Sequence, residues 1–440
     1  MKRLVLLLTL LCISPFAAGS GHAQHWTASW TASAHGPYPI GNPTAQPELK
    51  FAFPSATQGA RDQSFRQIVR PDIWGQQTRV RLSNVFGTQP VTFDDAFVGL
   101  QESGNAVVAG TNQPLRFKGQ ASVTVAPGES VVSDPVALPF VKTPSDPLLR
   151  GRKLAISFHV AGDSGPMTWH AKALQTSYVT RPGAGSKGGD GSEAAFLFST
   201  ASWYFLDEVG MLVPVAPKVI VAFGDSITDG TGTTINGDDR WPDVLSRRLH
   251  AVYGDDFVVV NQGIGGNQVV GPPDYSPAKP FPGGPAAVTR LDRDIVSLPG
   301  VSTVIWLEGI NDFGAANASA EAVMEGYIKG VAHLRQKIPG VKIFAATLTS
   351  ALNSTPTHGK PEVDGKRKAL NELLRTSKLF DGVIDFDAAT LDPATGEVKA
   401  EYQPNSSIGG PGDKLHPNRA GYAAMANAID LAALTGRPAK

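Results

Sequence analysis

Thiols are all but missing from this chain: of its 440 residues one is cysteine, Cys12. It lies in a leading stretch where Lys2 and Arg3 precede an apolar run over 4–16 and a small-x-small site at Gly21-His22-Ala23. That is the pattern of a signal peptide over residues 1–23, so the expectation is a secreted or periplasmic protein whose mature chain starts at Gln24. A chain from Gln24 onward has no thiol, which excludes disulfides, cysteine nucleophiles and thiolate metal sites. Excess charge of either sign is missing too. Lys and Arg number 39, as do Asp and Glu; losing Lys2 and Arg3 leaves 37 against 39, a net of minus two. Such a balance gives no electrostatic footprint for nucleic acid. Nor does any apolar run approach the ~20 residues that span a bilayer, so stable membrane insertion is not expected.

What the chain does have is glycine, 47, and proline, 34, together with an ordinary apolar fraction of 42%. Long loops around a full core follow, and the length suits two domains or one large domain with an elaboration. Residues 24–214 alternate with period two: Leu154, Ile156, Phe158 and Val160 are separated by Ala155, Ser157 and His159, and turn residues such as Ala126-Pro127-Gly128 punctuate similar runs. This predicts an antiparallel β-sandwich. Within it, the composition of residues 181–192, RPGAGSKGGDGS, predicts a flexible loop. Over 215–440 the pattern changes to strands alternating with helices, the mark of a doubly wound α/β fold. Candidate buried strands are 219–223, 257–261, 303–307, 342–347 and 383–386. Candidate helices carry Trp241, Val244, Leu245 and Leu249, then 322–338 and 367–378, and last the stripe Tyr422, Met425, Ile429 and Ala433.

Two short motifs in the β-region, TASAHG at 31–36 and GDSGP at 162–166, look like protease fragments. The second lacks a glycine of the chymotrypsin-like pattern and no cysteine accompanies the first, so both read as turns between strands.

The chemistry collects elsewhere. The run 218–230, KVIVAFGDSITDG, has five continuous apolar residues, too few for a helix, followed by Gly224 and then Ser226 at the strand's carboxyl end. In an open α/β sheet that end is where ligands bind, and a serine there can be a nucleophile if a base is within reach. Three further blocks each follow a predicted strand: QGIGGNQ after Asn261, EGIND with Asn311, and GDKLHPN with Asp413 three residues before His416. Together they offer a nucleophile, oxyanion donors, and a base with its orienting carboxylate. The DxxH spacing lets Asp413 hold one imidazole nitrogen while the other faces Ser226. Pro417 suits the first turn of the helix that follows.

In these four blocks, over about 218–434, the sequence resembles the GDSL or SGNH hydrolases: GDSITDG, NQGIGGN, GIND and DKLHPN stand in that family's order. The resemblance implies a flavodoxin-like doubly wound parallel sheet. It implies Ser226 as nucleophile with His416 and Asp413, and an oxyanion hole of Ser226, Gly266 and Asn311. Gly266 is preferred to Gly265 as the last glycine of NxGxxG. RWPDVLSRRL, LEGINDFG and the β-domain are similar to secreted arylesterase-like acylhydrolases associated with xylan degradation. That likeness implies ester hydrolysis on small or carbohydrate-borne acyl groups without identifying the acyl group. Few apolar stretches suggest interfacial activation, so short acyl groups on carbohydrate, acetyl above all, are expected. A serine mechanism requires no metal or organic cofactor.

Other residues read as structural. Asp225, Asp229 and Asp312 cap and tie loops. Glu308, ending a buried strand, needs a partner, either Arg240 or Arg293, or else faces a sugar hydroxyl. His25, His35, His159, His170, His250, His333 and His358 have no partner that the sequence names, His170 being a candidate for the domain interface. Loops 269–285, 353–364 and 392–412 are expected to overhang the site. Three competing readings stand beside the short-chain esterase. They are a lipase or arylesterase of broad specificity, a metal-dependent phosphoesterase using Asp225, Asp229, Asn261, Asp312 and His416, and a carbohydrate-binding protein working through the β-domain.

Overall fold

The structure, a computed structural model, describes residues 24–438; the expected leader lies outside the described residues. Its amino-terminal half is antiparallel. One sheet has the order Phe198–Thr200, Ser177–Val179, Arg61–Val69, Leu154–Asp163, Val91–Leu100, Gln113–Pro114; a second has the order His25–Thr31, Leu206–Val213, Gln77–Ser83, Ser130–Val132. The alternation along 154–160 sends Phe158 inward, where it stacks on Phe65 at 5.4 Å between centroids, and Phe93 meets Phe205 at 5.3 Å. Each buried phenylalanine contributes about 1.5–3 kcal/mol of hydrophobic stabilisation.

The glycine-rich segment 181–192 differs from its expectation. It has no helix or strand, yet it is pinned across the outer face of the first sheet. Fully buried Arg66 holds it, donating to Ser157 Oγ at 2.8 Å and to the carbonyls of Asn105, Asp190 and Ser192, while Asp95 accepts from Gly188 N–H at 2.8 Å. A buried guanidinium needs acceptors, and loop carbonyls supply them, so the loop's order comes from a residue far outside it. Ser157 and His159 are buried beneath the same cover, with His159 between Asp94 and Asp62.

The second half is built on five parallel strands: β1 (Lys218–Gly224), β2 (Phe257–Gly263), β3 (Val301–Leu307), β4 (Lys342–Ala346) and β5 (Gly382–Ile384). Their order is β2-β1-β3-β4-β5, the flavodoxin-like order, which reverses beside β1 and opens a crevice at the strands' carboxyl ends. One face of β1, Ile220 and Ala222, packs on Trp241, Leu245, Tyr422 and Met425. Val219, Val221 and Phe223 on the other face join Trp306, Tyr327 and Leu370 in a core continuous with the β-sandwich. The strand His25–Thr31 lies against β2, with Thr31 Oγ1 donating to Asn261 O at 3.0 Å.

Local boundaries shift where capping decides them. Phe386, expected in the last strand, begins the helix Phe386–Thr390, because Asp385 accepts from Ala388 N–H and caps it. The helix expected from 367 starts six residues earlier, as Pro361–Thr376, with proline at a first-turn position. The final stripe breaks into Arg419–Asn427 and Leu431–Thr435, since Asp430 caps a new start; Leu434 is buried where Ala433 was expected.

Candidate active site

Gly224 ends β1 so close to β3 that a Cβ on it would stand 2.1 Å from Leu307 O, so only glycine fits. Asp225 then caps the short helix Ser226–Asp229 by accepting from Ile227 N–H at 2.9 Å, and Ser226 is set at its first position. Ser226 Oγ lies 2.8 Å from His416 Nε2. His416 Nδ1 in turn lies 2.6 Å from Asp413 Oδ2, and Asp413 Oδ1 accepts from the Leu415 and His416 N–H groups. With Asp413 ionised, Nδ1 carries the proton and Nε2 is left to accept from the serine hydroxyl. Burial works against the Asp413 charge, but the hydrogen bond and charge of His416 with the two amides outweigh it and hold the carboxyl well below the usual range.

The block carrying this histidine does not follow a strand directly. After β5 the chain passes through Phe386–Thr390 and a long loop before returning to the crevice. Pro417 also lies before the helix rather than in its first turn: Asn418 caps Arg419–Asn427, accepting from Ala420 and Gly421 N–H groups.

Three candidate donors follow the carboxyl ends of β1, β2 and β3. The Ser226 N–H opens its helix and, like the Gly266 N–H, has no hydrogen-bond partner among the described residues. Gly265 differs, since its N–H is taken by Asp229 Oδ2 at 2.9 Å. Asn311 donates one amide hydrogen to Asn267 O at 2.9 Å, and its other has no partner among the described residues. Asn267 is itself fixed by Gly283 O, Pro285 O and the buried Arg290, which also reaches Gly224 O at 3.0 Å. Arg290 thus ties the back of the serine turn to the second block, while Asp312 ties on the next loop by accepting from Val269 and Val270 N–H groups.

Several residues at the site carry no signal in a single sequence. His358 Nε2 lies 3.1 Å from Asn311 Oδ1, and Asn42 of the β-sandwich donates to Gly265 O at 2.8 Å. His170 does lie at the domain interface, 3.1 Å from Asp229 Oδ1. TASAHG lies there too: Ser33 Oγ contacts Gln262 Oε1 and Asp294 Oδ2, so the Ser33 hydroxyl is spent on the interface. A lone side chain in a loop has no periodicity to expose it, and only the fold could have revealed these.

Residues 222–424 match the model of the GDSL-like Lipase/Acylhydrolase family. The carboxy-terminal domain belongs to that family. It is a carboxylic ester hydrolase domain. Among solved structures, the chain is similar to a carbohydrate acetylesterase from Sinorhizobium meliloti at 16% identity, over 48% of this chain and 96% of that one, with a TM-score of 0.36. It is similar to the aryl esterase of M. smegmatis at 17% identity, over 48% of this chain and 95% of that one, with a TM-score of 0.37. Comparison with curated proteins gives no match.

Within the GDSL-like domain, Glu308 corrects the sequence expectation. It pairs with neither Arg240 nor Arg293: Arg240 donates to Asp229 O and Ala173 O, and Arg293 pairs with Asp294. Glu308 is fully buried, accepts from Trp306 Nε1 at 2.8 Å, and its Oε1 has no partner among the described residues. Burial pushes it up to about 8, against the opposing charge of Arg290. Burial also pushes Asp225 up to about 7 and Asp312 to about 6. Of the carboxylates named in the metal reading, Asp229 is engaged by His170 and Gly265 and Asp312 by the loop amides. Among the described residues, no three His, Cys, Asp or Glu side chains form a group that could hold a metal ion.

Proposed function

We propose that this protein is a secreted serine esterase that removes short acyl groups, acetyl above all, from carbohydrate esters. The observation that carries the reading is the continuous relay from Ser226 through His416 to Asp413. As Ser226 Oγ bonds to the ester carbonyl carbon, His416 Nε2 takes its proton and the carbonyl π electrons move onto oxygen. That oxyanion is received by the Ser226 and Gly266 N–H groups and the second amide hydrogen of Asn311. Collapse expels the alcohol, which takes the proton from His416 and leaves an acyl-serine. Water attacks the acyl carbon, passes a proton to His416, and the second collapse releases the acid and reprotonates Ser226.

Support for a polar, short-acyl substrate comes from the loops around the crevice. Over 269–285, 353–364 and 392–412, Ile408 is the one large apolar side chain that is strongly exposed among the described residues. An apolar lid of the kind a lipid-water interface would open has little to be built from there. No helix among the described residues is long and apolar enough to cross a membrane. Export is proposed from the pattern of residues 1–23, and an exported product beginning at Gln24 is its direct check.

The test is hydrolysis of a chain-length series of aryl esters, with acetylated xylan alongside, by the wild type and by Ser226→Ala. Serine-dependent acetate release from xylan, with rates falling steeply beyond short chains, is the expected result. A preference for long acyl chains would move the assignment to a lipase. Serine-independent hydrolysis would overturn the mechanism.

A further inference from the structure

The peptide joining Gly265 to Gly266 is held from the other domain. Its carbonyl accepts a hydrogen bond from Asn42 Nδ2 at 2.8 Å, and the same amide reaches Pro282 O at 3.4 Å. The carbonyl of Gly265 and the N–H of Gly266 belong to one planar trans unit and point in opposite directions. A donor that fixes the carbonyl therefore fixes the N–H on its far side. Gly266 has φ +84, and a Cβ on it would come 2.6 Å from Asn42 Nδ2, so the asparagine amide stands directly against this residue.

The preceding atom of the loop is fixed as well. The Gly265 N–H donates to Asp229 Oδ2, and Asp229 Oδ1 faces His170 Nε2, whose other ring nitrogen lies 2.8 Å from Ser33 O. Asn42, His170 and Ser33 all come from the β-sandwich half. The glycine loop, which needs positive φ and would otherwise be free to turn its peptide plane, is gripped at both ends of one residue.

We infer that Asn42 is a positioning residue for the oxyanion hole, through which the β-sandwich holds the Gly266 N–H aimed at the reacting carbonyl. The inference rests on the proposed role of Gly266. It gives the amino-terminal half a part in catalysis that requires no substrate contact. A hydrogen bond to the carbonyl also polarises the peptide and strengthens the N–H as a donor, a secondary gain. Asn42 itself is exposed, so its replacement removes little packing.

The experiment compares kcat and KM for an aryl acetate in the full-length wild type, Asn42→Ala, Asn42→Asp, Asn42→Gln and Ser226→Ala, with thermal unfolding of each. An oxyanion donor that is misaimed rather than deleted should cost less than the ~100-fold of a deletion, about 10-fold in kcat for Asn42→Ala. KM and unfolding temperature should stay close to wild type. Asn42→Asp, which turns a carboxylate toward a carbonyl, should lose at least as much, and Asn42→Gln, which keeps a donor, should recover part of the rate. Affinity for a boronate that places an oxygen in the hole should fall in step with kcat. Wild-type kcat in Asn42→Ala, with Ser226→Ala inactive, would overturn the inference and leave the esterase reading intact. Full activity in Ser226→Ala would instead remove the reading on which it rests.

Discussion

His358 Nε2 lies 3.1 Å from Asn311 Oδ1, and the same ring's Nδ1 lies 3.0 Å from Thr355 Oγ1. The threonine hydroxyl can donate to Nδ1, which leaves the proton on Nε2 and directs it to the asparagine oxygen. An amide has two ends, and pinning its oxygen on His358 fixes where its nitrogen points, one hydrogen of which goes to Asn267 O. Burial, then the charge of His416, keeps His358 below its ordinary range, so the ring stays neutral and the relay of donors keeps one direction.

His358→Ala should therefore lower kcat by about 10-fold, with Asn311→Ala lowering it by ~100-fold or more. The double variant should lose little beyond Asn311→Ala alone, because the histidine acts through the asparagine. Steady-state kinetics of the four proteins check this. Losses that multiply independently would contradict it.

Glu308 should leave a signature in stability against pH. Its folded-state value, raised to about 8 by burial, lies above its ordinary 4.5. Between those values the unfolded chain has lost a proton that the folded chain keeps, so stability falls as pH rises through this window. Glu308→Gln keeps an acceptor for Trp306 and cannot ionise. Melting temperatures from pH 4 to 9 should show the variant gaining on the wild type as pH rises, and a variant that loses ground at pH 8 relative to pH 5 would refute the assignment.

At the domain interface the sign is the same for a different reason. His250 Nε2 lies 3.3 Å from Asp72 Oδ2, and Nδ1 lies 3.3 Å from Asp255 Oδ1. Burial disfavours the imidazolium, but the two carboxylates outweigh it and push the group up to about 10 from 6.5. The contribution is complete below pH 6.5 and is lost as pH rises through 10. His250→Gln should flatten that part of the profile, as unfolding curves at pH 6 and pH 10 will register.

How much of this was legible in the sequence depended on distance along the chain. The run Val219 to Phe223 announced a buried strand because burial on both faces leaves no polar alternation, and Asp413 and His416 announced each other because three residues separate them. Helix ends were less legible: Asp385 and Asp430 set new starts through caps that periodicity does not register. Beyond the four motif blocks, partners brought together by the fold were not legible as pairs: His170 was a candidate for the interface, but Asp229 was not named as its partner. Glu308 was expected beside Arg240 or Arg293, or else facing a sugar hydroxyl, but its indole partner is Trp306, two residues back in β3, which ends just before it. Asn42, His170 and His358 acquire meaning only once the β-sandwich and the loops close on the crevice.

The most direct test of the central claim is to locate the acyl group. The protein would be mixed with an aryl acetate, quenched in acid within one turnover, digested, and its peptides weighed. The account predicts one added acetyl group on the peptide containing Ser226. Neither label nor hydrolysis should appear in Ser226→Ala, whose turnover should fall roughly 10⁴-fold or more. An acetyl group on another residue, or wild-type turnover without Ser226, would contradict it.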